Sequence, residues 1–191
     1  MQAANIPREN IAYHEAGHAV AARVMGLSVI YVTLDGGDGR LGLGHAKIFC
    51  PPSDSRVRLC RAMAAAINSL CGPMAEQKYL GGAELTKLND IFDAVEHLEN
   101  YVLGRDPFAS CPNTGVVVVV QTFREWVKKP PHYHGLANNK QRAEFKRLWK
   151  ASVGLAETIV SRHWDAIERV AAALLIHGTL RQDAIDELLR A

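Results

Sequence analysis

Two histidines four residues apart, His14 and His18, with Glu15 between them, constrain this chain more than any other feature. On an α-helix such residues stand one turn above each other, so both imidazoles can face one metal ion. Glu15 lies one step round the helix, beside that metal. There its carboxylate can take a proton from an attacking water and return it to a leaving amine. The flanks are helical in character: Pro7 suits a first turn, Asn5 an N-cap and Gly26 a terminus, with alanine frequent between them. A helix is therefore expected over residues 7–25. Within it Gly17 costs about 1 kcal/mol against alanine, so its presence points to the close approach of a neighbouring element.

With 191 residues and 48% hydrophobic content, the chain can bury one good core, and the expectation is a single domain over residues 1–191. Its net charge of +2 makes no electrostatic case for nucleic acid or an anionic membrane as partner. The nearest basic cluster, Lys140, Arg142, Lys146, Arg147 and Lys150, reads as the solvated side of an amphipathic helix. Four cysteines occur without a C-x-x-C pair or a secretory signal, so reduced, mostly buried thiols are expected. Cys60 and Cys71, three helical turns apart, should share a face as core fillers. The longest aliphatic run, residues 116–120, is far too short for a membrane span, which favours a soluble, cytoplasmic protein.

Along the chain, residues 28–34 are rich in β-branched and aromatic types, and Asp35-Gly36-Gly37-Asp38-Gly39 supplies a turn before residues 41–49. That pattern predicts a hairpin or two adjacent strands. An edge strand beside a metal site could accept an extended peptide through main-chain hydrogen bonds, or be an ordinary sheet edge. After Pro51-Pro52, Ser53 or Asp54 can cap a helix whose stripe is Leu59, Met63, Ile67 and Leu70. Pro73 removes a backbone donor, so a kink or break is expected at Gly72-Pro73, and Gly81-Gly82 ends the segment.

A further helix from about Thr86 carries the stripe Leu88, Ile91, Phe92, Val95, Leu98 and Val102. Asp90 lies off that stripe, in the first turn, where the helix dipole also favours a carboxylate. On local sequence it is one candidate third ligand among Asp93, Glu96, His97 and Glu76. Residues 116–120 fit a buried strand or a helix start, and His132 and His134 fit a polar loop. The C-terminal third is helical. One stripe runs through Phe145, Leu148, Trp149, Ser152, Leu155, Ile159 and Val160, and a second through Ile167, Val170, Ala171, Leu174 and Leu175. His163 and His177 read as polar residues at helix boundaries. Gly178 closes the second run, and Thr179 with Gln182 predicts a capping box for a short last helix.

Three stretches then converge on one family. Ala12-Tyr13-His14-Glu15-Ala16-Gly17-His18-Ala19, Leu70-Cys71-Gly72-Pro73-Met74-Ala75-Glu76 and Asn89-Asp90 together resemble the peptidase domain of FtsH-type membrane AAA+ zinc proteases. Residues 164–180 resemble the end of that domain, so the likeness covers nearly the whole chain. It implies a mainly α (α+β) fold: a helical zinc-metalloprotease domain with a small two- or three-stranded sheet. Residues 7–103 would form its metal-site half and residues 140–190 its C-terminal helical part. It also implies zinc (Zn²⁺) held by His14, His18 and Asp90, Glu15 as general base, and Glu76 orienting a ligating histidine. Residues 31–48 are similar to the family's substrate-side strand, with Leu41, Gly42, Leu43 and Gly44 at its substrate-binding part. The chain departs from the family pattern at Leu85-Thr86-Lys87-Leu88, where a Ser/Thr-Gly-Ala run is usual, and at Pro73.

The activity implied is zinc-dependent endopeptidase cleavage of unfolded polypeptides or peptides. Thirteen residues precede His14 and no Gly-rich phosphate loop occurs, so the expectation is a peptidase without its own ATPase module or membrane anchor. It would act without ATP by itself or with an ATPase supplied in trans, and the family's rings leave homo-oligomerisation open. The alternative is a non-proteolytic peptide-binding or regulatory protein that keeps the fold. Retention of Glu15 argues against that, since a structural metal site needs ligands but no base.

Overall fold

The computed structural model describes residues 7–35, 45–49, 58–82, 89–107 and 136–191, with only the backbone of 45–49 and of Asn89. Its elements are α1 (Arg8–Val24), β1 (Ser28–Thr33), β2 (His45–Phe49), α2 (Arg58–Tyr79), α3 (Asn89–Val102), α4 (Asn139–Arg162), α5 (Trp164–His177), β3 (Thr179–Arg181) and α6 (Gln182–Arg190). The fold is mainly helical with one small antiparallel sheet, as expected.

Pro7 stands just ahead of α1 rather than inside its first turn, and its carbonyl accepts from the Asn10 N–H at 3.1 Å. Asn5, Ser53, Asp54, residues 83–88, residues 116–120, His132 and His134 lie outside the described residues. The far end of α1 closes as a Schellman motif. The Leu27 N–H reaches the Ala22 carbonyl at 2.8 Å and the Gly26 N–H that of Arg23 at 3.0 Å, with Gly26 at φ +75°. Gly81 and Gly82, both at positive φ, end α2 in the same way.

Of the kink or break expected at Gly72-Pro73, the break does not occur: α2 runs through Pro73 from Arg58 to Tyr79. A proline inside a helix costs about 3 kcal/mol locally. Here every residue from 70 to 76 is buried, and each large apolar side chain returns about 1.5–3 kcal/mol. Packing on several sides therefore holds the turn closed. The same helix corrects the cysteine expectation, since Cys71 is buried but Cys60 is exposed. A shared face is not a shared depth: eleven residues span roughly 16 Å of helix, which carries Cys60 beyond the core.

The sheet order is β2-β1-β3, with β1 antiparallel to both neighbours. β1 is thus the central strand, not an edge, and an edge is offered only by its neighbours. The expected capping box at Thr179 and Gln182 is replaced by β3. Thr179 Oγ1 donates to Thr33 Oγ1 at 2.8 Å, and Gln182 Oε1 accepts from the Val29 N–H at 3.1 Å. Cross-strand partners outcompeted the local cap. A close relative of the capping box forms at α4, where Asn138 Oδ1 accepts from the Gln141 N–H and Gln141 Oε1 accepts from the N–H of Ala137, the residue before the N-cap.

α1 and α2 pack side by side at the centre, with α3 and α4 against α2, and the sheet and α5 against α1. The described residues of the expected stripes include Phe145, Leu148, Trp149, Val160, Ile167, Val170 and Leu174, which are buried, and Leu59, Met63, Phe92, Val102, Ile159 and Leu175, which are partly buried against the core. Leu155 is exposed, at 47%. The five basic residues of the α4 cluster, Lys140 to Lys150, are all exposed, as a solvated face requires. Among the described residues, no helix is long and apolar enough to cross a membrane.

Candidate metal centre

α1 carries His14, Glu15 and His18 into the interior, where they are 2%, 3% and 7% exposed. They sit there because α2 comes unusually close. A Cβ on Gly17 would lie 2.5 Å from the Cys71 carbonyl oxygen and 2.8 Å from the Ala75 Cβ. The backbone contact that Gly17 suggested is therefore with α2. Gly72 plays the reciprocal part, since a Cβ there would lie 2.3 Å from His18 Nε2. The imidazole occupies the space a side chain at 72 would fill.

The first turn of α3 supplies Asp90. His14 Nε2 lies 3.0 Å from Asp90 Oδ2, His18 Nε2 3.7 Å from Asp90 Oδ1, and the two Nε2 atoms are 3.2 Å apart. His14, His18 and Asp90 form a group that could hold a metal ion, their donor atoms all within 4.8 Å of one another. A four-coordinate ion with bonds of 2.0–2.1 Å separates its ligand atoms by about 3.3 Å, close to these spacings.

The hydrogen bonds behind the ring nitrogens support the same use. His18 Nδ1 donates to the Asn68 carbonyl at 2.8 Å, and His14 Nδ1 donates to Glu76 Oε2 at 3.0 Å. A carbonyl can only accept, so in the neutral imidazole the His18 proton sits on Nδ1 and Nε2 keeps a lone pair. With His14 held likewise, two lone pairs and a carboxylate converge on one point, an arrangement that favours a cation there. Without a metal, a proton can play that part. Burial opposes a charged His14, but its hydrogen bonds to Asp90 and Glu76, with the charges of Asp90 and Glu15, raise its pKa to about 9.

The other carboxylates and histidines on α3 do not join the group. His97 Nδ1 donates to the Pro107 carbonyl at 2.7 Å. Asp93 is raised by burial and by the nearby charges of Asp90 and Glu96, which His97 and His18 partly oppose. Glu76, one of the candidate ligands, instead bonds the far side of the His14 ring. Leu41, Gly42, Leu43 and Gly44 lie outside the described residues. Asn68 had no signal of its own in the sequence, and Gly72 stood only within the Leu70-to-Glu76 segment, without a role of its own. Their spacing with Glu76, at i, i+4 and i+8 on one helix, becomes informative only once Glu76 is known to face the histidines. No family model matches this chain, and no curated protein matches it significantly.

Proposed function

We propose that this chain is a zinc-dependent endopeptidase acting on unfolded polypeptides or peptides. The observation that carries the proposal is the convergence of His14, His18 and Asp90 beside a buried Glu15. The resemblance of the motif to FtsH-type peptidase domains supports it, as does the fit of the donor set to a four-coordinate ion. Bound zinc would supply Lewis acidity for a peptide carbonyl and bring the pKa of water toward neutrality.

The protein's own groups do the rest. His14, His18 and Asp90 would hold the ion, leaving one of four positions for chemistry. Glu76 and the Asn68 carbonyl fix the outer nitrogens of the two rings, so that neither imidazole has to reorient on binding. Glu15, one residue from His14, would take the proton from the attacking water and deliver it to the departing amine. A closed balance results: the C–N bond breaks, water's oxygen stays on the new carboxylate, and its protons leave with the amine and with solvent.

The test measures metal content and cleavage of an unfolded casein-like substrate by wild type and Glu15→Gln. Both proteins should carry stoichiometric zinc, and the substitution should slow cleavage by about 10²–10⁴-fold. Equal inertness of two zinc-loaded proteins, with candidate ATPases added, would discard the enzyme in favour of a peptide-binding or regulatory role.

A further inference from the structure

Asn68 makes two bonds to a single residue across the α1–α2 contact. Its backbone carbonyl accepts from His18 Nδ1 at 2.8 Å, and its side-chain Nδ2 donates to the His18 backbone carbonyl, also at 2.8 Å. Both residues are buried, at 9% and 7% exposed. The two bonds close a ring that ties one turn of α2 to one turn of α1, through both the backbone and the side chain of each partner.

Packing alone gives no reason for an asparagine here. Its helix propensity is mediocre, and its amide is costly to bury unless bonded. An aliphatic residue would fill the space without that liability. What asparagine adds is a directed bond that keeps its own carbonyl within reach of the His18 ring. That carbonyl decides which ring nitrogen is protonated and hence which one faces His14 and Asp90. Gly72, one turn on, leaves room for the ring but cannot orient it, because it offers no side chain.

We infer that Asn68 is a positioning residue for His18: its side-chain amide holds α2 in the register at which the Asn68 carbonyl fixes the His18 tautomer and presents Nε2 to the metal. This rests on the metal-site reading proposed above, and it adds a residue to which neither the HEAGH motif nor the Gly72-to-Glu76 segment assigns a role.

The experiment uses the full chain and two readouts: the ¹⁵N resonances of the His18 ring in zinc-free protein, and zinc affinity by competition with a chromophoric chelator. Wild type should show His18 protonated at Nδ1. In Asn68→Leu, which keeps the branching and the number of heavy atoms and removes the donor, the Nε2–H form should gain population and zinc binding should weaken about 10–100-fold. A purely structural role predicts something different: a lower melting temperature, an unchanged tautomer, and zinc affinity within about twofold of wild type. That result overturns the inference. Should Asn68→Leu fail to fold, Asn68→Ala carries the same two measurements, and an Nε2–H tautomer in wild type alone overturns the proposal. If wild type binds no zinc, the metal-site reading falls, while the tautomer comparison still decides the role of Asn68.

Discussion

α1 and α2 meet through small residues and buried polar groups, whereas α4 and α5 brace them from outside through large apolar side chains. At the central contact Gly17 faces Cys71 and Ala75, with His14, Glu15, His18, Asn68 and Glu76 also buried. The bracing helices bury Phe145, Leu148, Trp149, Ile167, Val170 and Leu174, and their one fully buried polar side chain is Ser152. Small side chains bring two backbones close enough for the polar groups of one helix to bond the other, as Asn68 bonds His18. Buried polar groups then hold only while every partner stays in place. The bracing helices supply stability that does not depend on direction, and the central pair carries the buried polar groups that need it.

Breaking the brace should give the largest effect on stability. Leu174→Ala, at a site with no exposure, is expected to cost about 2–5 kcal/mol by chemical denaturation. Zinc affinity of the folded fraction should stay unchanged. An equal loss of affinity would mean that the two regions are not separable.

The central pair should show a pH dependence that the brace lacks. His14 titrates near 9 in the fold against 6.5 for an unperturbed imidazole, so folding the metal-free protein retains a proton that the unfolded chain releases. The resulting stability, up to about 3 kcal/mol, is fully present below pH 6.5 and is lost as pH rises through 9. Denaturation of metal-free protein across that window checks it. Zinc affinity should rise over the same window, since zinc displaces the proton. The cost of Leu174→Ala should be the same at both ends.

Gly72→Ala sharpens the contrast from the other side. The added Cβ meets the His18 ring rather than backbone, so the ring must move. Zinc affinity should fall about 100-fold, a little under 3 kcal/mol, with the fold retained as judged by circular dichroism. A substitution of similar size at Gly154, where nothing lies within 4 Å, should leave zinc binding untouched.

Much of this architecture was legible because it is periodic. The apolar stripes of α3, α4 and α5 announce their buried faces, and Leu155 shows the limit, since helical phase gives direction but not whether a neighbour stands opposite. Pro73 shows another. A local rule predicts a kink or a break, and the helix continues where its residues are buried. At Thr179 two local preferences compete, and the strand wins because β1 is there to pair with.

The candidate site divides along the same line. His14, Glu15 and His18 are fixed relative to one another by four residues of helix, a geometry that belongs to the backbone and needs no partner. Asp90, Glu76 and Asn68 stand 76, 62 and 50 residues from the histidines they meet. No periodicity spans such intervals. The sequence by itself determined a helix with two histidines and a glutamate on it. Which carboxylate faces them, which holds a ring from behind, and that an asparagine and a glycine complete the cradle, were decided by how closely α2 and α3 pack on α1. Hydrophobic burial sets that approach, and side-chain size at Gly17 and Gly72 limits it.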